Sequence, residues 1–212
     1  MGRPLPSGRV FPNHALLFGI ILGLLGEGVL LVAVHPITAV LGSITLLFYL
    51  GIYTPSKPMT PMSILIGAIP GALPPVMGWA GATGSLSGWA LLLFAIVFIW
   101  QIPHFLAIAF MYQEDYRRAN LPVLSISSLD GIGAKQTILY SLILIPLTLV
   151  PSVWGDTGTL YLLGALISGL LFLAWSVRLV KYQTLEDARN LFLASIVYLP
   201  VLAFLMVWDR IY

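Results

Sequence analysis

The chain has 212 residues, 59% hydrophobic and 8% charged, with no Cys and a net charge of +2. A soluble domain carries roughly 25% charged residues, so a mean hydropathy of +0.98 excludes a water-facing globule and makes lipid the solvent. The small, scattered positive charge excludes a nucleic-acid surface, and the missing cysteines exclude disulfides, thiolate metal sites and Cys nucleophiles.

The opening stretch MGRPLPSGRVFPNH lacks the basic start, short apolar core and small-residue cleavage site of a secretory signal, and reads as a loop. A hydrocarbon core of about 30 Å needs about 20 apolar residues as helix. Seven windows of that kind follow, at residues 15–34, 36–53, 62–82, 89–112, 136–154, 160–180 and 191–208. The fold class is therefore an all-α polytopic membrane protein. No internal repeat or long polar segment interrupts the series, and a single integral-membrane domain over residues 1–212 is the simplest organisation.

Connections at 54–61, 113–135 and 181–190 are long and charged, and the others short and nearly neutral. Seven spans then put Arg3, Arg9, Lys57, Arg117, Arg118, Lys135, Arg178, Lys181 and Arg189 on one side and Arg210 on the other. The positive-inside rule makes the basic side, with the N-terminus, cytoplasmic in a bacterial inner membrane, or the matrix side of a mitochondrial inner membrane. Ionisable groups suited to an anionic substrate thus gather at one membrane face beside apolar helices, a geometry for an amphiphile with a charged head.

Taken in chain order, Glu27 falls near the middle of the first span. A carboxylate there costs about 2.5 kcal/mol or more and should face the interior, be paired or be protonated. Tyr53 and Lys57 sit in YTPSKPMTP, where the lysine either meets a phosphate as a compact charge or merely signals topology. Pro70, Pro74 and Pro75 should distort the third span, which is tolerated only against protein or a cavity.

In the fourth span, eleven positions separate His104 from Asp115, three turns plus about 20°, so an unbroken helix puts both side chains on one face about 16 Å apart, with Gln101 nearby. Pro103 can bend that helix. Such a stripe could hold an apolar substrate above and an anionic head below. The alternative is that His104 bonds a neighbouring helix and that EDYRR only starts a solvated loop. Trp79, Trp100, Phe105, Tyr112 and Tyr116 offer π faces to a carbocation, or serve as packing and interfacial belt.

The segments RPLPSGR, YTPSK with Thr60, IPGALPPVMGWAGATGSL, WQIPHF, EDYRRANLPVLS and ARNLFLASIVYLP resemble, in order, the protoheme IX farnesyltransferases (heme O synthases) among the UbiA-type intramembrane prenyltransferases. The resemblance implies a nine-helix bundle of which these are the last seven spans. It implies farnesyl transfer from farnesyl diphosphate to a vinyl group of heme b, with water added, and Mg²⁺ as cofactor. It also implies Asp115 as metal ligand with Glu114 as a weaker one, and Lys57, Arg118 and Arg3 as diphosphate contacts. His104 becomes the candidate heme contact, with Gln101, Tyr116 and Tyr53 as further substrate-binding candidates.

Lipid, farnesyl diphosphate and heme b are the expected partners, with a heme A synthase or oxidase-assembly protein as a possible further one. Pro58 and Asn120 depart from the family pattern. The family's first aspartate-rich motif and two spans before it are missing ahead of Arg3, so the chain is expected to be N-terminally truncated and inactive alone. Prenyl transfer to an aromatic quinone precursor, or a transporter-like protein, are the rival readings.

Overall fold

A computed structural model describes residues 4–119, Pro122 and residues 132–211. Arg3 and Asn120 lie outside the described residues. Seven helical segments are long and apolar enough to cross a bilayer: Pro12–Val34, Pro36–Ser56, Ser63–Thr83, Gly88–Met111, Lys135–Val153, Thr159–Tyr182 and Leu185–Trp208. The chain is an integral, multi-pass membrane protein.

We name the helices α1 (Pro12–Val34) and α2 (Pro36–Ser56), then α3 (Ser63–Gly71), α4 (Leu73–Thr83), α5 (Gly88–Met111), α6 (Gln113–Arg118), α7 (Ile132–Val153), α8 (Thr159–Tyr182) and α9 (Leu185–Trp208). Helices α5, α7, α8 and α9 form a four-helix block, and α2 and α4 lean on it through α5. The block's core contains Ile102, Leu106, Leu144, Phe172 and Leu191. A smaller cluster of Leu41, Val76, Ala80 and Ala90 joins α2, α4 and α5.

Polar ties inside the block replace the water that the bilayer lacks. The Tyr161 hydroxyl donates to the Thr148 carbonyl at 2.7 Å, Ser141 and Ser176 hydroxyls meet at 2.8 Å, and Trp100 Nε1 donates to the Ser195 carbonyl at 2.9 Å.

Tracing the chain sorts its connections between two ends of the bundle. Trp89 stacks on Trp79 and meets Trp154 edge-on, and His35 sits against Gly84, so these turns share one end. Lys57 and Asp115 line a common cavity at the other. The described parts of the 54–61 and 113–135 connections therefore lie together, as the alternation of charged and neutral loops predicts. At the opposite end Thr157 and Arg210 form a backbone bridge, Gly158 N–H donates to the Asp209 carbonyl at 2.9 Å, and Tyr161 N–H donates to the Asp209 carboxylate at 2.7 Å.

The structure departs from the sequence-based spans most at the last one. The last span begins at Leu185, six residues before the expected 191. Thr184 caps it by accepting from Asp187 N–H at 3.0 Å, and the Arg178 guanidinium holds the Asp187 carboxylate at 3.0 Å. This makes a charged stretch helical by N-capping, which an apolar count does not see.

The third span is broken, as its prolines predict. Helix α3 ends at Gly71, Ala72 sits at φ −97° and ψ −3°, and α4 restarts with proline in its first turn, where a missing N–H costs nothing. Glu27 does not reach the bundle interior. It lies half-buried in a groove between α1 and α2, its carboxylate over Gly42, with no hydrogen bond or ion pair among the described residues, and α1 buries none of its own residues.

Because the chain has no Cys, single cysteines can test the two ends directly. Met59→Cys and Ala119→Cys should react with a membrane-impermeant maleimide from one side of the bilayer, and Ser85→Cys from the other. Labelling of the first two from opposite sides would refute this arrangement.

Candidate functional site

Helix α2 ends in a π turn, Tyr49–Tyr53, followed by Thr54–Ser56. The Tyr49 carbonyl accepts from both the Thr54 N–H and, at 2.8 Å, the Thr54 hydroxyl, and Ser56 donates to the Tyr53 carbonyl at 2.7 Å. Tyr49, Tyr53 and Lys57 consequently follow one another along a face. The Tyr49 and Tyr53 rings are 5.1 Å apart, and the Lys57 ammonium stands 4.4 Å from the Tyr53 ring centroid and 6.0 Å from that of Tyr49.

Across from this face, α5 ends at Met111, Tyr112 leaves the helix at φ −112° and ψ 22°, and α6 restarts at Gln113. Phe105, Ile108, Ala109 and Tyr112, spaced as one helix face, run on into Asp115, Tyr116 and Ala119. Together with Tyr53, Lys57, Ser63 and Ile64 they line a cavity of about 640 Å³. It has apolar walls toward the bilayer, with a cation and an exposed carboxylate at the mouth.

The cavity thus brings together six of the residues picked out from sequence: Tyr53, Lys57, Phe105, Tyr112, Asp115 and Tyr116. Trp79, Trp100, Glu114, Arg118, Gln101 and His104 do not line it. Glu114 faces its own helix, paired with Arg117 at 2.9 Å and Arg118 at 3.3 Å, and neither Glu114 nor Arg118 lines the cavity.

Gln101 is buried. Its Nε2 donates to the Ala68 carbonyl at 2.7 Å, and its Oε1 lies over Gly71, where a Cβ would collide with it. It secures the broken third span from α5.

His104 turns the other way, its Nδ1 2.7 Å from Ser195 Oγ and its ring 5.0 Å from both Trp100 and Phe192. The shared His104 and Asp115 stripe expected of an unbroken helix is therefore absent. The spacing runs on through Tyr112 without slipping, so the face leading to Asp115 carries Phe105, Ile108 and Ala109, while His104 is drawn aside by Ser195. Arg3 lies outside the described residues.

Sequence reasoning missed Ser63, Ile64, Ile108 and Ala109. Ile108 and Ala109 carried a signal in the i, i+3, i+4, i+7 spacing that runs from Phe105 through Tyr112 to Asp115, Tyr116 and Ala119; Ser63 and Ile64, on α3, carried none.

Magnesium takes one or two carboxylates and fills its remaining positions with substrate phosphate and water. Asp115 fits the protein's share of such a site. Among the described residues no cluster of three or more His, Cys, Asp or Glu could hold an ion unaided.

The expected cost of losing the Gln101 tie is about 1 kcal/mol, as for interhelical hydrogen bonds in membranes. Gln101→Leu should lower the detergent unfolding midpoint, and Gly71→Ala, which displaces the amide, should do the same. Unfolding curves identical to the parent for both would deny that the contact holds the third span.

The sequence profile described as the UbiA prenyltransferase family matches residues 1–206. The protoheme IX farnesyltransferase of Solibacter usitatus is 47% identical over 210 residues, covering 99% of this chain and 72% of that protein. Those of Marinobacter nauticus and Myxococcus xanthus are each 41% identical, covering 69% and 71% of their own length. A solved structure reported for digeranylgeranylglyceryl phosphate synthase superposes with a TM-score of 0.77 at 19% identity, over 98% of this chain and 73% of that one. At that identity the likeness shows the fold.

Proposed function

Because the chain belongs to the UbiA prenyltransferase family, we propose that its cavity transfers a farnesyl group from farnesyl diphosphate to a vinyl group of heme b, giving heme O and diphosphate. The observation that carries this reading is the pairing of Lys57 and Asp115 at the mouth of a greasy cavity, in a chain 47% identical to a protoheme IX farnesyltransferase. The family assignment sets aside the transporter reading.

In the proposed step the allylic C1–O bond of farnesyl diphosphate breaks and its electron pair leaves with diphosphate. Lys57, a compact cation, neutralises part of the charge that builds on the departing oxygens. Asp115 would hold Mg²⁺, which when bound supplies further neutralisation of the same oxygens. The allylic cation lies beside the rings of Phe105, Tyr112 and Tyr116, whose π faces favour positive charge.

The terminal vinyl carbon of heme b then bonds to C1 of the farnesyl group. Water adds at the inner vinyl carbon and loses a proton, leaving the hydroxyfarnesylethyl arm. Ile64, Ile108 and Ala109 exclude bulk water from the chain, which otherwise would capture the cation early.

We place the basic end, with the N-terminal loop, on the cytoplasmic side of a bacterial inner membrane, on the strength of the lysine and arginine asymmetry. His104 is proposed as a heme contact through Nε2, which has no hydrogen-bond partner among the described residues. An oxidase-assembly enzyme that receives the product is the proposed protein partner.

Supplied with the two spans and the aspartate-rich motif expected ahead of Arg3, the protein given farnesyl diphosphate and heme b should release diphosphate and yield a heme heavier by one farnesyl and one hydroxyl group, whereas the 212 residues alone should give neither. Diphosphate release with an aromatic acid and not with heme b would transfer the assignment to quinone-precursor prenylation. For the metal, Mg²⁺ should tighten farnesyl diphosphate binding to the parent and have little effect on Asp115→Ala. An equal Mg²⁺ response in both would remove Asp115 from the site. His104→Ala should weaken heme binding in an optical titration while farnesyl diphosphate affinity is kept; superimposable heme titrations would reject that role.

A further inference from the structure

Lys57 makes no ion pair among the described residues. Its ammonium stands against the Tyr53 and Tyr49 rings, 4.4 Å and 6.0 Å from their centroids. A π face attracts a cation without cancelling its charge, so the lysine is held in place and still able to attract an anion. A carboxylate in the same position would have spent that charge.

Lysine is otherwise a poor fixed point, because its four-carbon stem has many rotamers and its ordering costs entropy. The ring that steadies it is itself seated. The Tyr53 ring lies flat on Gly67 of α3, where an added Cβ would come within 2.8 Å of Cδ2 and 2.9 Å of Cζ. Side chains do not approach that closely, so any residue but glycine moves the ring. Ser63 and Ile64, one turn before Gly67 on the same helix, form the cavity wall beside Lys57.

We propose that Gly67, Tyr53 and Lys57 act as one unit, in which Gly67 seats the Tyr53 ring and Tyr53 positions the Lys57 ammonium for the diphosphate head of the prenyl donor. Tyr53 is on this account a positioning residue acting through Lys57 and recognising the head, and its hydroxyl is dispensable. The inference rests on the proposed binding of a prenyl diphosphate in this cavity.

The probe is inorganic diphosphate, with binding to the whole chain in detergent measured by calorimetry. Tyr53→Phe keeps the π face and should bind as the parent does. Tyr53→Leu and Gly67→Ala should each weaken binding roughly tenfold, as loss of a partly desolvated cation–π contact can. Lys57→Ala should weaken binding at least as much, and adding Tyr53→Leu to it should bring no further loss.

Parent-like binding by Tyr53→Leu, or a loss by Tyr53→Phe equal to that of Tyr53→Leu, would overturn the inference and leave the proposed function standing. Additive losses in the double variant would also overturn it, by showing that Tyr53 does not work through Lys57. If Gly67→Ala fails to fold, the two Tyr53 variants decide alone. A parent that binds no diphosphate, or a Lys57→Ala chain that binds it equally well, would overturn the functional reading and this inference with it.

Discussion

Hydrocarbon neither donates nor accepts hydrogen bonds, so every polar group carried into the bilayer must find its partner on a neighbouring helix. Helix α5 is where that constraint is most concentrated. Within little more than one turn, Trp100 and His104 bond to Ser195 on α9, and Gln101 bonds to the Ala68 carbonyl on α3. The same turn contains Pro103, which supplies no N–H to the helix ladder. These ties hold α5 between the four-helix block and the interrupted third span, so that the face carrying Phe105, Ile108 and Ala109 is left for the cavity. WQIPHF is thus a structural junction in which Trp100, Gln101 and His104 bond to neighbouring helices and the last residue, Phe105, begins the cavity wall.

Much of the fold was legible because its cause is local. Span length and hydropathy follow from the thickness of hydrocarbon, and the proline cluster at 70–75 announces an interruption. Charge asymmetry groups the loops on one end, and Lys57 and Asp115 do meet in one cavity there. What could not be read depends on partners distant in sequence. The start of α9 at Leu185 is fixed by Thr184 and by Arg178 reaching Asp187 from the preceding helix. The direction of His104 is fixed by Ser195, 91 residues away. Periodicity places a side chain on a helix face without saying which neighbour will hold it.

The glycines of α3 make the same point about the site. As letters, Gly67 and Gly71 read as ordinary small residues of a membrane helix. In the fold each receives a foreign side chain against its backbone, the Tyr53 ring on one and the Gln101 amide on the other. The sequence identified Tyr53 and Lys57 as candidates individually. That they are stacked, and that a glycine on another helix makes the stacking possible, is a tertiary fact.

The clasp at the end remote from the cavity has a mechanical consequence. The Thr157 and Arg210 bridge, the Asp209 contacts to Gly158 and Tyr161, and the Ile211 N–H to the Asp156 carbonyl at 3.0 Å knot the start of α8 to the finish of α9. The opposite tips of the same two helices are joined as well, by the two-residue link Gln183–Thr184 and by the Arg178–Asp187 ion pair at 3.0 Å. Rods of 24 residues fastened at both ends cannot splay at either without breaking a tie, so this pair is a stiff back wall, and any widening for a bulky lipid must come from other helices.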